Sequence, residues 1–260
     1  LNLPRKNRSF AVALLALLIL TSCGGPYSAK RLQSPDEKIA LADDLFDSGK
    51  FEKSAVEYKD FLATFAGDER SDYAQFRLAE SYRQDEEYAL AAVEYRILVS
   101  DYGYSEYVDD AFFLEGVCSF RQADRAERDQ TKTYEALSRI DRFMQIFPDS
   151  PRIEEARNIK REIHDRLGKK HFINAKLYFS MKRYDAALIY FDKVIASFPE
   201  TDWAIRSHYY KGLIIKDSGD RTGAVRELEI ALQSELRFPE RRQAEDTLRS
   251  LRGGSTDEEE

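Results

Sequence analysis

From Phe51 onward the apolar residues of the chain recur in one pattern. Four segments align by eye: Phe51-EKSAVEYKDFLATFAGDE, Tyr88-ALAAVEYRILVSDYGYSE, Thr133-YEALSRIDRFMQIFPDSP and Tyr184-DAALIYFDKVIASFPETD. Each places a small residue first (Ser54, Ala91, Ala136, Ala187), then an aromatic or branched one (Tyr58, Tyr95, Ile140, Phe191), then a large apolar one (Phe61, Leu98, Phe143, Val194). Each closes on an aromatic (Phe65, Tyr102, Phe147, Phe198) followed by Ala66, Gly103, Pro148 or Pro199. A looser fifth copy runs from Arg221 through Ala224, Leu228 and Ala231. Offsets of three and four put these side chains on one helical face. Small residues admit a neighbouring helix, and a proline after the last turn ends the helix because it lacks the N–H donor and clashes with the preceding turn.

A second helical run precedes each later copy, with Ala79 before Tyr82, Gly116 before Ser119, Ala175 before Tyr178 and Gly212 before Ile215. Turns are expected at Ser48-Gly49-Lys50, Gln84-Asp85-Glu86, Met181-Lys182-Arg183 and Ser218-Gly219-Asp220. Each unit therefore reads as a helical hairpin, and the offsets of the small residues and prolines resemble the tetratricopeptide repeat. The fold class is all-α, a superhelical solenoid of about five tetratricopeptide-like hairpins, in which each unit buries its apolar face against its neighbours. Small-to-small spacings are 37, 45, 51 and 37 residues, against about 34 for a regular unit. The 45 reflects an extended turn, Gln122-ADRAERDQT. The 51 requires a first helix from about Arg152 to Phe179, with apolar positions Ile159, Ile163, Leu167, Phe172 and Ala175, and with Gly168 as a candidate bend.

The start of the chain follows another pattern. Arg5, Lys6 and Arg8 precede an unbroken apolar run of 11 residues, Phe10 to Leu20. That run is too short for a spanning helix, which needs roughly 20 residues, and it matches a signal-peptide core. Leu20-Thr21-Ser22-Cys23 resembles the lipobox of bacterial lipoproteins. The resemblance implies cleavage before Cys23, acylation of that cysteine and anchoring by several acyl chains together. Gly24 and Gly25 follow, with no acidic sorting residue, so the expected location is the outer membrane, lipid-anchored and facing the periplasm. The expected organisation is a signal peptide at 1–22, a tether at 23–35, the repeat domain at 36–242 and a polar, acidic tail at 243–260, disordered at its end.

Composition narrows the chemistry. The formal charge is −7, and removing a signal with three basic and no acidic residues leaves about −10. No basic stripe accompanies it, so nucleic acid is excluded as a partner. Of two cysteines, Cys118 is left without an intramolecular partner once Cys23 is acylated, and reads as a small buried side chain. The histidines His164 and His171 lie seven residues apart, about 10 Å along a helix, too far to share one metal. No paired cysteines, HExxH, phosphate loop or nucleophile elbow occurs. Asp43-Asp44 and Asp109-Asp110 read as solvated helix positions. The expectation is a protein without enzyme activity, cofactor or metal. The 15 Tyr and 16 Phe against one Trp belong to the repeat pattern.

Several stretches together are similar to the BamD (ComL) family, the lipoproteins of the β-barrel assembly machine. They are Asp124-RAERDQ, Phe147-PDSPRIEEA, Asp165-RLGKKHFINAKLYFSMKRYDAA and Val194-IASFPET. The likeness covers most of Pro35 to about Gly219 and fades in the fifth repeat at Leu236-RFPE. The resemblance implies an adaptor that binds the periplasmic domains of a BamA-like barrel-inserting protein through its C-terminal repeats. It also implies receipt of unfolded outer-membrane proteins at the N-terminal repeats, and accessory lipoproteins as further partners. The alternative is another periplasmic repeat lipoprotein that coordinates envelope or peptidoglycan machinery.

Within that frame, first-helix positions give a candidate substrate groove: Tyr73, Phe76, Arg77, Glu80 and Arg83, then Asp110, Phe113, Val117 and Phe120. Aromatic and arginine side chains are favoured binding anchors. A second reading of Phe76, Phe113 and Phe120 is packing between helices, and of Arg77 and Arg83 surface pairing with Glu80 and Asp85. The candidate partner interface is Lys176, Tyr184, Tyr190, Trp203, Arg206, Tyr209 and Lys216. For Trp203 inter-repeat packing is the competing reading, and Thr201 or Asp202 is expected to cap the helix that carries it.

Overall fold

A computed structural model describes residues 34–234 and 238–253. The lipobox, Cys23 and most of the expected tether lie outside the described residues, as does the acidic end of the chain. Eleven α-helices are described, in chain order: α1 (Pro35–Asp47), α2 (Phe51–Thr64), α3 (Ser71–Gln84), α4 (Tyr88–Asp101), α5 (Val108–Arg121), α6 (Thr131–Ile146), α7 (Ile153–Ser180), α8 (Tyr184–Ser197), α9 (Asp202–Asp217), α10 (Arg221–Gln233) and α11 (Arg241–Gly253). No strand occurs among the described residues. Among the described residues each helix packs chiefly on its neighbours in sequence, and only α7 also makes substantial contact two elements away. This is the one-dimensional stacking of a repeat solenoid. Five hairpins, α1–α2 to α9–α10, are followed by α11.

The small-to-large pattern is the packing pattern. Ser54, Ala91, Ala136, Ala187 and Ala224 are all completely buried, as are Tyr58, Tyr95, Ile140 and Phe191. The closing aromatics Phe65, Tyr102, Phe147 and Phe198 each occupy the residue after the helix and donate their N–H to the carbonyl four residues back. Ser34 starts α1 with a reciprocal capping box: its hydroxyl accepts from the Glu37 N–H, and the Glu37 carboxylate accepts from the Ser34 N–H. That arrangement satisfies two otherwise orphaned donors.

Four of the five hairpin turns reach a left-handed residue at the same place. Gly49 (φ 71°) and Gly219 (φ 90°) supply it in the first and fifth hairpins. Glu86 (φ 61°) and Lys182 (φ 56°) occupy it in the second and fourth, where a side chain makes the conformation strained.

Helix α7 spans 28 residues, about 42 Å at the helical rise. Ile159, Ile163 and Leu167 in its first half belong to the large core of hairpins two and three, and Phe172 and Ala175 belong to the core of hairpins four and five. The helix thus joins the two cores. Helix α7 runs through Gly168 without a break. A Cβ there would stand 3.2 Å from Thr201 Oγ1 and 3.3 Å from Trp203 Cδ1, so the glycine allows α9 to approach. Thr201 occupies the N-cap position of α9 without a side-chain cap bond, and its hydroxyl donates back to the Phe198 carbonyl at 2.8 Å. The expected Thr201 or Asp202 cap is therefore not formed.

The expected end of the repeat domain at 242 falls inside α11, where Ala244 and Leu248 are buried with Tyr209 and Leu228. Packed structure continues to Gly253, because this helix covers the apolar face that the fifth hairpin would otherwise leave open.

Candidate protein-binding site

The candidate groove residues of α3 are held by polar ties, some across to hairpin one and some within hairpin two. Asp43 on α1, expected to be solvated, is their hub. It accepts hydrogen bonds from the hydroxyls of Tyr58 and of Tyr73, the latter at 2.7 Å. Arg77 Nε donates to the Tyr58 oxygen at 3.2 Å and lies 3.8 Å from Asp43. The Arg77 guanidinium sits 3.7 Å from the centre of the Phe46 ring, with Asp47 at 3.4 Å. Burial and the Asp43 hydrogen bond push the Tyr73 phenol up to about 12, so it stays a donor at every physiological pH. Arg77 thus ties hairpins one and two together, beside the Tyr73–Asp43 bond.

One turn along α3, Glu80 accepts hydrogen bonds from Arg83 Nε and Nη2, at 2.8 and 2.7 Å, and from the Tyr95 hydroxyl. Burial pushes the Glu80 carboxyl up, but the bonds from Arg83 and Tyr95 outweigh it and leave the group below the ordinary glutamate range. Phe76 is half-buried and stacks on Tyr107 at 4.9 Å. Asp110 accepts from Arg152 Nε at 2.7 Å, and Asp109 from the Ser150 hydroxyl at 2.8 Å, which fastens α5 to the start of α7.

Two groove candidates are corrected. Phe113 is fully buried and Phe120 nearly so, within the large core. Phe113 packs on Phe143 of α6 and cannot line an open groove. The Phe120 ring lies under Arg166 of α7 at 4.1 Å, so only its edge reaches the recess between the 123–127 turn and α7. Val117 remains partly accessible beside them.

The second set of candidates is brought together more completely. Lys176 Nζ lies 3.5 Å from the Tyr210 ring centre and 5.0 Å from that of Phe179. Arg206 lies 4.6 Å over Phe172 and 5.1 Å over Trp203, and binds Glu240 through two nitrogens at 3.0 and 2.6 Å. Tyr210 donates to the same carboxylate at 2.9 Å. Burial, reinforced by the Arg206 charge, holds Lys176 below the ordinary lysine range while Glu240 opposes the shift. Trp203 is half-buried and donates to Asp165 at 2.8 Å, and packs on Phe172 at 5.3 Å. Tyr184 packs on Phe179, and Tyr190 stacks on Tyr178 at 5.4 Å. Lys216 is exposed near Asp217. Tyr209 is the exception, buried against Phe238 and Tyr210.

Phe46, Tyr210 and Glu240 were missed as members of these clusters. Glu240 had a signal in the stretch Leu236-RFPE that overran the repeat; Phe46 and Tyr210 had none beyond their helical positions. Elsewhere, burial pushes the Cys118 thiol up to about 12, which makes it inert. Among the described residues no cluster of three or more histidine, cysteine or carboxylate side chains could hold a metal, and no helix is long and apolar enough to cross a membrane.

The family model described as YfiO, outer membrane lipoprotein, matches residues 36–246. The chain belongs to this family. It is a BamD-like tetratricopeptide-repeat protein, so the match covers all five hairpins and enters α11, and outer-membrane lipoprotein is its class. No curated protein matches it significantly. Solved repeat proteins are similar in fold. One is a tetratricopeptide-repeat protein of Bacteroides fragilis, with 9% identity, TM-score 0.47, and coverage of 85% of this chain and 99% of that one. Another is TTC0263 of Thermus thermophilus, with 15% identity, TM-score 0.36, and coverage of 84% and 98%.

Proposed function

We propose that the chain is the adaptor of an outer-membrane β-barrel assembly machine. It binds the periplasmic domains of a BamA-like barrel-inserting protein and helps receive unfolded outer-membrane proteins, and it faces the periplasm from a lipid anchor at Cys23. The observation that carries this reading is the family match over all five hairpins. The geometry supports a division of labour. Tyr73, Arg77, Glu80 and Arg83 are engaged with one another or with neighbouring helices, so the N-terminal hairpins form a tied frame; Phe76 and Val117 remain its partly accessible apolar positions. In hairpins four and five Lys176, Tyr184, Tyr190, Trp203, Arg206 and Lys216 keep partial or full exposure. Aromatic rings with cations held over them offer flat, pre-organised contact area to a protein partner.

Site-specific photo-crosslinking in cells tests this assignment. A crosslinker at Tyr190 or Lys216 is expected to capture one large membrane barrel protein, while the same group at Val56, an exposed position on α2, captures none. Equal capture at all three positions would overturn it.

A further inference from the structure

A second surface lies on the other helix layer. The second helices of hairpins two and three, α4 and α6, flank a trough of about 480 Å³ floored by Ser119 of α5 and Gln122 just after it. One wall is the α4 stripe Ala89, Ala92, Val93 and Arg96; the other is the α6 stripe from Lys132 through Glu135 and Arg139 to Arg142. Both stripes have helical spacing, so the trough follows the helix axes. From Lys132 to Arg142 it runs about 15 Å, the length of about five extended residues.

Four cations line it, in a protein of net charge −7. The one exposed carboxylate of its lining, Glu135, pairs with Lys132 one turn away on the same helix at 2.7 Å. The walls are tied through Glu115, which is 1% exposed at the base and accepts from Arg96 Nε at 2.7 Å and Arg139 Nη1 at 2.6 Å. One buried carboxylate thus orders two guanidiniums from opposite walls, with charge left over. Arg96 remains 56% exposed, so its other donors are available to a ligand. The Arg142 guanidinium lies 5.9 Å from the centre of the Phe112 ring and has no carboxylate within ion-pair distance among the described residues. Val93, 47% exposed on the rim, adds an apolar contact, and the alanine and serine side chains leave room for a main chain.

We infer that this α4–α6 trough is a docking site for an extended, carboxylate-rich segment of a partner protein. Ordered guanidiniums bind carboxylates through paired hydrogen bonds, and a linear array of cations along a recess suits a linear polyanion of peptide width. A membrane surface is too flat to reach arginines set between two helices.

The test uses the full-length protein in mild detergent and a fluorescein-labelled peptide of about eight residues alternating Glu and Leu. Binding is expected by fluorescence anisotropy, weakened by added salt. The double substitution Lys132→Ala/Arg142→Ala should weaken it about tenfold, since both side chains are exposed and make no inter-helix bond. Lys53→Ala/Lys59→Ala on α2 should leave it unchanged, and helicity and melting should be the same in all three proteins. The inference is overturned if the peptide fails to bind, if the Lys132/Arg142 variant binds as well as the parent, or if a Lys-Leu peptide binds equally. Phosphatidylglycerol vesicles that bind through Lys132 and Arg142 and displace the acidic peptide would also overturn it, in favour of a lipid surface.

Discussion

Replacing Arg77 by Ala should loosen the first hairpin from the rest of the solenoid. The guanidinium makes three kinds of contact across the joint between α1–α2 and α3. Its place 3.7 Å over Phe46, partly shielded from water, is worth about 1 kcal/mol. The hydrogen bond to the Tyr58 hydroxyl contributes about 1 kcal/mol net. Its pairs with Asp43 and with the largely exposed Asp47 are screened and add about 0.5 kcal/mol. The total is about 2–3 kcal/mol, and Arg77→Met should recover only the packing part of it. Because each repeat leans on its neighbours alone, the loss should be local. Hydrogen exchange is the assay: amides of 35–64 should exchange faster in Arg77→Ala while those of α8 to α10 stay as they were. An unchanged exchange pattern with a change in urea stability below about 0.5 kcal/mol would refute the reasoning and return Arg77 to the status of a free ligand-binding group.

Other substitutions probe other joints. Phe113→Ala removes a fully buried ring and should cost about 3–5 kcal/mol in denaturant unfolding. Gly168→Leu drives a side chain into Thr201 and Trp203 and should cost about 1–3 kcal/mol, with a measurable change in Trp203 fluorescence. Lys182→Gly relieves a positive φ and should raise stability by up to about 1 kcal/mol, visible as a higher Tm. His171 is held neutral by burial, helped by the nearby charges of Lys193 and Lys170, with its pKa lowered from 6.5 to about 4. A base whose pKa falls on folding contributes fully above the unfolded value and loses that contribution as pH drops. Stability should therefore decline between pH 6.5 and about 4, and His171→Phe should flatten that part of the stability–pH curve.

The repeat pattern was legible because it is packing. The same side chains that recur in the sequence, Ser54 with Tyr58 and Ala91 with Tyr95, are the fully buried ones, and prolines and glycines mark real helix ends. The long helix was legible to within a residue or two, since its apolar positions keep one period through both cores. The groove was less so. Phe113 and Phe120 lie on a first helix, yet Phe143 of α6 packs on the one and Arg166 of α7 on the other, partners about thirty or more residues away that local spacing does not encode. Asp43 looked solvated because its partners Tyr73 and Arg77 lie thirty and thirty-four residues away. The last helix was missed for a related reason: its composition is polar, and only Ala244 and Leu248 reveal a buried stripe once it is set against Tyr209 and Leu228.

The central claim is the identity of the principal partner. Isolation of the protein from its native membranes in mild detergent, followed by mass spectrometry of what co-purifies, tests it most directly. The account predicts stoichiometric recovery of a membrane barrel protein that carries repeated soluble periplasmic domains. Recovery of cell-wall factors in place of that barrel protein would contradict it, while leaving the fold and the family as they stand.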